Sequence, residues 1–355
     1  MKKFTFQRVK TDVKEPLLRA IIDTCLSEPM PTRASVTEAT GLGATSVRKV
    51  MSALPKCGFT DEVSRPQTNG KKPCLHQALR AEVSSLVIDL SSPTYTVSII
   101  DGERKCVLFE QYDFDRSVSL SDNLITFFSR AGLAARKIAC GFCSVGVILA
   151  DRRLTEKQYP DPALLSLPLS ADHREALDSL IGKFFGMTPG IYADLSTALR
   201  HTLRYRILPD ADPAKGLAYG YLGREAYGVC VRTEGTPILV RLSELAIDNR
   251  KVFGDLLSDA PFSYDPSKLV WRVVNLLRCI SDAEFFVVES ERLKITSDAH
   301  GALKQTLAEY GASSRFKAMN KAPGIAAYGM AVACTAELIL SHFEYAPAEI
   351  RSLEQ

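Results

Sequence analysis

The sequence predicts an α/β protein in two parts, a small helical head with a hairpin followed by a larger body of strands and helices. Three observations predict it. Thr32 to Gly58, "TRASVTEATGLGATSVRKVMSALPKCG", holds two helical patterns broken by one glycine turn. From Ser84 the pattern becomes that of strands, "SSLVIDLSSPTYTVSIIDGERKCVLFEQYDF". The charge is also divided. Residues 1–80 carry 14 Lys/Arg against 7 Asp/Glu, a net +7, whereas the whole chain carries +3, which leaves −4 on the other 275 residues. A basic head on a mildly acidic body is the asymmetry of a polyanion-binding module attached to something else.

At 355 residues the chain exceeds one ordinary core and predicts two or three domains. Its 46% hydrophobic and 24% charged residues place it among globular proteins. No apolar run is long enough to cross a bilayer, so no membrane partner is expected. The opening "MKKFTFQRVKTDVKEP" has lysines but no apolar core behind them, unlike a secretory signal. Nine cysteines, an odd number spread through core-like segments, read as reduced thiols rather than a disulfide framework. These features together predict a cytoplasmic chain.

In the head, "PLLRAIIDTCL" sets Leu17, Leu18, Ile21, Ile22 and Cys25 at helical spacing, with Pro16 at a favoured first position. Pro29 and Pro31 end that helix. Thr32 caps a second, short helix with Val36 and Ala39 inward, and Gly41 stops it. Thr45 or Ser46 opens a third helix whose buried stripe is Val47, Val50, Met51 and Leu54, leaving Arg48, Lys49 and Ser52 off the stripe. Helix, tight turn and a helix with a basic exposed face form a helix-turn-helix. After Gly58, "FTDEVSRPQTNGKKPCLHQAL" reads as two strands around a Pro/Asn/Gly turn carrying Arg65, Lys71 and Lys72. A basic hairpin after the recognition helix is a wing whose cations suit phosphates or a minor groove. The competing reading is a helical interaction domain with a surface hairpin; the placement of the basic hairpin favours double-stranded DNA. Thr45, Ser46, Arg48 and Lys49 are the candidate base readers, and Arg65, Lys71 and Lys72 the candidate phosphate contacts.

The body opens with a strand at Leu86–Leu90, a second at Tyr95–Ile100, a turn at Asp101-Gly102 and a third strand at Cys106–Glu110. A helix follows around "LSDNLITFFSRAG", then the apolar strand "KIACGFCSVGVI". "IYADLSTALRHTL" passes from a short strand into a helix, and "GLAYGYLGREAYGVCVRTEGTPILVRL" reads as two or three strands. "KLVWRVVNLLRCISDAEFFVVES" is a long helix then a strand, and "APGIAAYGMAVACTAELIL" a helix of small residues.

This order of parts, with "TGLGATSVRKVMSALPKCGF" in the helix-turn-helix, "NGKKP" in the wing and "VIDL" opening the body, resembles the ROK-family transcriptional repressors. The resemblance runs from about Leu17 to about Leu340. It implies a winged helix-turn-helix followed by a two-lobed actin/hexokinase-like, that is ribonuclease H-like, ATPase-type domain. The expected division is residues 1–80 for the DNA-binding domain, 81–198 for the first lobe, and 199–355 for the second lobe with its C-terminal helix.

The departures from the family's kinases weigh most. They place Asp-x-Gly-Gly-Thr after the first strand, because glycines let backbone amides approach phosphate. Here the turn reads Asp89, Leu90, Ser91, Ser92, Pro93, Thr94. A second glycine-rich phosphate loop of the resemblance falls on Gly223, Arg224, Glu225, Ala226, Tyr227 and Gly228, where a carboxylate repels phosphate. The kinases' catalytic Asp aligns with Asp194, preceded by Ala193 in place of Asn. Without phosphate loops a base there has no phosphoryl group to act beside. The sugar-contacting Glu of the family falls on Glu244, while its histidine falls on Ile247. The cysteine-rich zinc motif is absent from "DNRKVFGDLLSD". The lone pair Cys140 and Cys143 has no second pair and reads as core thiols, and His173 and His201 are isolated, so no metal is expected. Gly324 and Gly329 match glycines of the family's adenine pocket, or equally serve close helix packing.

The reading that follows is a DNA-binding regulator, a repressor by resemblance, with no enzymatic activity and no cofactor. Its degenerate body acts as effector sensor or dimerisation platform. A sugar or sugar-phosphate effector would sit near Asp194 and Glu244, and a homodimer or dimer of dimers would carry the heads. The alternative is a carbohydrate kinase of the ROK type with an added head; a third reading is a body that only mediates oligomerisation.

Overall fold

Two five-stranded sheets with one and the same strand order organise the body. The computed structural model describes residues 5–65, 74–92, 94–113, 115, 117–138, 141–150, 171–222, 226–241, 246–247, 250–251, 273–274, 277–278, 281, 283–290, 305, 316–320 and 323–345. The head comprises β1 (Val9–Thr11), α1 (Glu15–Ser27), α2 (Arg33–Thr40), α3 (Ala44–Cys57), β2 (Thr60–Arg65) and β3 (Cys74–Leu79). The first sheet uses β4 (Ser85–Leu90), β5 (Thr94–Ile100), β6 (Cys106–Asp113), β7 (Ser144–Leu149) and β8 (Ile191–Asp194) in the order β6-β5-β4-β7-β8. The second uses β9 (Leu217–Leu222), β10 (Ala226–Val231), β11 (Ile238–Arg241), β14 (Phe285–Ser290) and β15 (Phe316–Asn320) in the order β11-β10-β9-β14-β15. The pair β12 (Ala246–Ile247) and β13 (Arg250–Lys251) lies between β11 and β14 in sequence. In each sheet the first three strands are antiparallel and the last two pairings parallel. The second lobe thus repeats the first, a duplication that no sequence repeat announces.

The helices α4 (Leu120–Arg136) and α5 (Ala171–Phe185) pack on the outer face of the first sheet through Phe127, Phe128, Leu177, Ile181 and Phe185. Strands β4 and β7 are covered on both faces, so they read as apolar runs without alternation. The inner faces of the two sheets meet two helices that occupy equivalent places in the lobes, α6 (Leu195–Arg204) after β8 and α7 (Ile325–Leu340) after β15. One continuous core joins Val87 and Ile148 of the first sheet to Tyr219 and Val287 of the second through these helices.

Small residues let the helices approach. A Cβ on Gly329 of α7 would lie 2.5 Å from the Thr202 amide nitrogen and 2.7 Å from the Ala198 carbonyl of α6. At the same crossing Thr202 Oγ1 donates to the Ile325 carbonyl at 3.1 Å. On the opposite side Gly146 of β7 makes room for α7, since a Cβ there would lie 2.5 Å from Cys334 Sγ. The N-terminus of α7 is held by buried Glu289, which accepts from the Ile325 amide and, at 2.8 Å, from the Tyr219 hydroxyl. A Cβ on Gly324 would lie 2.7 Å from Glu289 Oε2, so both glycines serve close packing.

The head shares a core with the end of the chain. Leu18, Ile22, Val36, Val50, Leu54 and Phe59 belong to one cluster with Val332, Ala336, Ile339 and Phe343. Strand β1 pairs in parallel with β16 (Phe343–Tyr345), Val9 against Phe343. Phe6 stacks on Phe59 at 4.3 Å between centroids, with His342 edge-on to both. Four hydrogen-bonded residue pairs tie α1 to the body. Arg19 donates to Glu337, the Arg204 guanidinium donates to Asp23 and Tyr205 donates to Asp23 at 2.9 Å, and Arg104 donates to the Leu26 carbonyl at the end of α1.

Some expectations differ in detail. Leu17 is 36% exposed, because Leu18, Ile21, Ile22, Cys25 and Leu26 fill the buried face of α1. Ala39 is exposed, since the eight-residue α2 turns only Val36 inward. Helix α3 begins at Ala44 with Gly43 as its cap, ahead of Thr45 and Ser46. Cys143 precedes β7 rather than lying in it, and Cys140 lies outside the described residues. The described cysteines Cys25, Cys57, Cys106, Cys143, Cys230 and Cys334 are all free thiols, and burial pushes Cys25 and Cys334 up to about 12. Among the described residues no helix is long and apolar enough to cross a membrane.

Two outcomes follow from this packing. Gly329→Ala drives a methyl into the backbone of α6, so it should lower the thermal unfolding midpoint by the equivalent of about 1–3 kcal/mol or more, measured by calorimetry. His201, stacked on Tyr205, is held down to about 4, by burial first and by the Arg204 charge second. Its folded value lies below the ordinary value of about 6.5. The unfolded chain therefore binds the extra proton between those values, and stability is lost as pH falls from about 6.5 toward about 4. Unfolding midpoints across that range should show the loss, and His201→Gln should flatten it.

Candidate functional site

The basic face of α3 is assembled from the sequence in steps. Thr32 caps α2 by accepting from the Ser35 amide at 3.0 Å, while Ser35 Oγ accepts from the Thr32 amide at 3.1 Å, a capping box. Gly41 closes α2 in the left-handed region at φ +65°, which costs a glycine nothing. The tight turn then releases α3 with Val47, Val50, Met51, Ala53, Leu54 and Cys57 buried. Thr45, Arg48 and Lys49 are exposed and Ser46 is half-buried. Arg65 is exposed at the last position of β2, paired with Cys74. Lys71 and Lys72 lie outside the described residues.

Between α3 and β1 runs an open groove of about 630 Å³ lined by Lys10, Arg48, Lys49, Ser52 and Lys56, with Asp12 as its acid. Lys56 sits two turns beyond Arg48 and Lys49 and was legible from helical spacing. Lys10 was not, because the β1–β16 pairing places it there. Lys49 donates to Asp12 Oδ2 at 2.5 Å, and that hydrogen bond holds the Asp12 carboxyl below its ordinary range. Arg33 donates to Ser52 Oγ at 3.0 Å and lies 3.8 Å from Glu62, joining α2, α3 and β2.

The hairpin is fixed to α3 by a proline. Pro55 inside α3 has no N–H, so the Met51 carbonyl four residues back loses its helical donor. Gln77 of β3 supplies the missing bond through its side-chain amide nitrogen. Arg80 donates its amide to the Phe59 carbonyl at 3.0 Å at the base of the hairpin.

At the lobes, the turn after β4 satisfies its own polar groups. Asp89 Oδ1 accepts from the Ser91 amide at 2.9 Å and from Ser91 Oγ at 2.5 Å, and Ser92 Oγ donates to the Thr94 carbonyl at 2.9 Å. All four residues are buried. Asp194 caps α6, accepting from the Thr197 amide at 2.7 Å and from Ser196 Oγ at 3.3 Å. Glu244 lies outside the described residues, as do Pro93 and Gly223, Arg224 and Glu225 of the second loop. Among the described residues no three His, Cys, Asp or Glu side chains gather as metal ligands.

Sequence comparison is silent, as no protein-family model and no curated protein matches the chain. Comparison with solved structures is not. A ROK family transcriptional regulator described as a homologue of the E. coli MLC protein superposes over 92% of this chain and 98% of its own, with a TM-score of 0.57 at 10% identity. This chain has the ROK fold. A polyphosphate/ATP-glucomannokinase from Arthrobacter sp. strain KM covers 73% of this chain and 100% of its own, with a TM-score of 0.47 at 16% identity. A ROK hexokinase from Thermus thermophilus covers 72% and 99%, with a TM-score of 0.43 at 12% identity. Within the ROK fold, the duplicated sheets form the body and the six head elements precede it.

Proposed function

We propose that the protein is a DNA-binding transcriptional regulator of the ROK family, a repressor, whose winged helix-turn-helix at residues 1–80 is carried by a sugar-kinase-like body. The lobes divide at residues 81–198 and 199–355. The observation that carries this reading is the exposed face of α3, where Arg48, Lys49 and Lys56 line one groove with Lys10. Thr45, Ser46 and Arg48 stand at the N-terminal end of a recognition helix, where side chains reach base edges, and Arg65, Lys71 and Lys72 of the wing hold phosphates. Two heads on a homodimer or dimer of dimers meet half-sites about 34–36 Å or a multiple apart. A sugar or sugar-phosphate effector in the cleft near Asp194 and Glu244 would set when the heads bind.

The kinase alternative fares less well on the residues. Ser91 spends its amide on Asp89, and that amide is the donor a phosphate would need. Asp194 is already engaged as a helix cap. No phosphoryl transfer above background is expected from ATP to hexoses, amino sugars or N-acetylated sugars in a coupled assay. Turnover lost in Asp194→Asn would restore the kinase reading.

For DNA binding, fluorescence anisotropy with selected operator fragments is the measurement. Arg48→Ala should cost about 1–3 kcal/mol and relax discrimination at one base position. Replacing Lys71 and Lys72 by alanine should weaken all sequences alike and flatten the salt dependence by about one unit per lost phosphate contact. Asp12→Asn frees Lys49 from its pairing and should tighten binding to any duplex, most at low salt. Failure of the intact chain to shift any DNA at low salt would leave the head as a protein-interaction module.

A further inference from the structure

We propose that the junction between head and body holds a second ligand site, built for a compact, uncharged polyol. A cavity of about 50 Å³ lies where α1, α3 and the hairpin of the head meet the β5–β6 turn and α7 of the body. That is several times the roughly 10–15 Å³ a single water needs, and far from enough for a nucleotide. None of its lining residues belongs to the turns at Asp89 or Asp194.

Two buried polar atoms among that lining have no hydrogen-bond partner among the described residues, Thr60 Oγ1 and Gln77 Oε1. Their residues are 7% and 4% exposed. Leaving such atoms unpaired is costly, and a side chain free to turn would turn away. Gln77 is not free. Its amide nitrogen is committed to the Met51 carbonyl that Pro55 orphans, so the carbonyl oxygen of this lining residue is left without a donor. Thr60 opens β2 opposite Leu79, and β2–β3 pairing fixes its place beside Gln77.

The chemistry of the wall selects the ligand. Gln77 Oε1 only accepts, so the ligand must donate; Thr60 Oγ1 both donates and accepts. A hydroxyl satisfies both. The other polar lining groups have partners: Asp101 Oδ1 accepts from the Lys105 amide at 2.7 Å, and Glu28 Oε2 accepts from Ser35 Oγ at 2.9 Å. Arg104 turns its guanidinium onto the Leu26 carbonyl. With two carboxylates against one guanidinium, an anion is disfavoured, and Leu26, Leu54, Leu79 and Ile339 supply the apolar walls against which carbon–hydrogen faces pack.

The site lies where head and body meet, in addition to the α1–α7 contact and the β1–β16 pairing. Arg104 stands in the left-handed region at φ +63°, unusual for a residue with a side chain, and its turn reaches across to α1. A ligand here biases how the head sits on the body, and coupling to the head's own ligand is reciprocal. This last consequence rests on the DNA-binding reading; occupancy of the site does not.

The test is calorimetric titration of the full chain with glycerol, erythritol and inorganic phosphate, with hydrogen exchange as the locator. Saturable binding of a polyol but not of phosphate is expected, with protection gained in 60–63 and 77–79. Thr60→Val keeps the side-chain volume and removes only the hydroxyl, so it should fold with an unfolding midpoint no lower than the parent and bind the polyol at least tenfold more weakly. No saturable polyol binding, an unchanged affinity in Thr60→Val, or protection elsewhere would each overturn the proposal, the cavity then holding water only. Operator anisotropy with and without the polyol is run beside it. A chain that binds polyol but no DNA would sink the regulator reading and leave this site standing.

Discussion

Helix α7 is the member on which the other parts converge. Nearly every residue from Ile325 to Leu340 is buried, and the helix touches the first sheet, α6 of the duplicated pair and α1 of the head. A helix enclosed on all sides cannot be amphipathic, and its residues must be small where backbones cross. Gly329 against Ala198 and Thr202, and Gly146 against Cys334, are the points where a single methyl has no room. Buried Glu289 supplies an acceptor for the orphan amide at the N-terminal end of this helix. Tyr219 in turn donates to Glu289, so the second sheet and α7 are locked together without any contribution from the head.

Because the far end of α7 belongs to the core of the head, the head is not a bead on a string. Its apolar residues continue into Val332, Ala336 and Ile339, and β1 pairs with β16 just beyond them. The buried Asp23 carboxylate, held by Arg204 and Tyr205, adds a directional link where apolar contact alone would allow sliding. A signal that reached α6 or α7 would therefore have a short physical path to α1.

The lobes keep the ROK architecture while their polar groups serve the chain itself. The turn after β4 spends its amide on Asp89, and Asp194 spends its carboxylate on the first turn of α6. Both uses stabilise local structure that a glycine loop would leave to a ligand. The head shows the opposite economy: the exposed face of α3 presents Arg48 and Lys56 outward, and Lys49 is paired with Asp12.

By itself the sequence determined what local rules govern. The cap at Thr32, the stop at Gly41, the buried stripe of Val47, Val50, Met51 and Leu54, and the β4–β5–β6 meander all follow from short-range patterns, and the structure has them. The candidate site was legible as far as α3 and β2 reach, because helical spacing sorts Arg48 and Lys49 from the core. What only the tertiary structure decided are the pairings between distant segments. The matching order of the two sheets, Lys10 beside Lys56, Gln77 replacing the donor that Pro55 lacks, and the cavity between head and body each join residues far apart in the chain. No period or spacing records such contacts, since they depend on where whole elements pack. The apolar C-terminal helix makes the point: its composition announced burial, but only the fold decided that one helix would serve both lobes and the head.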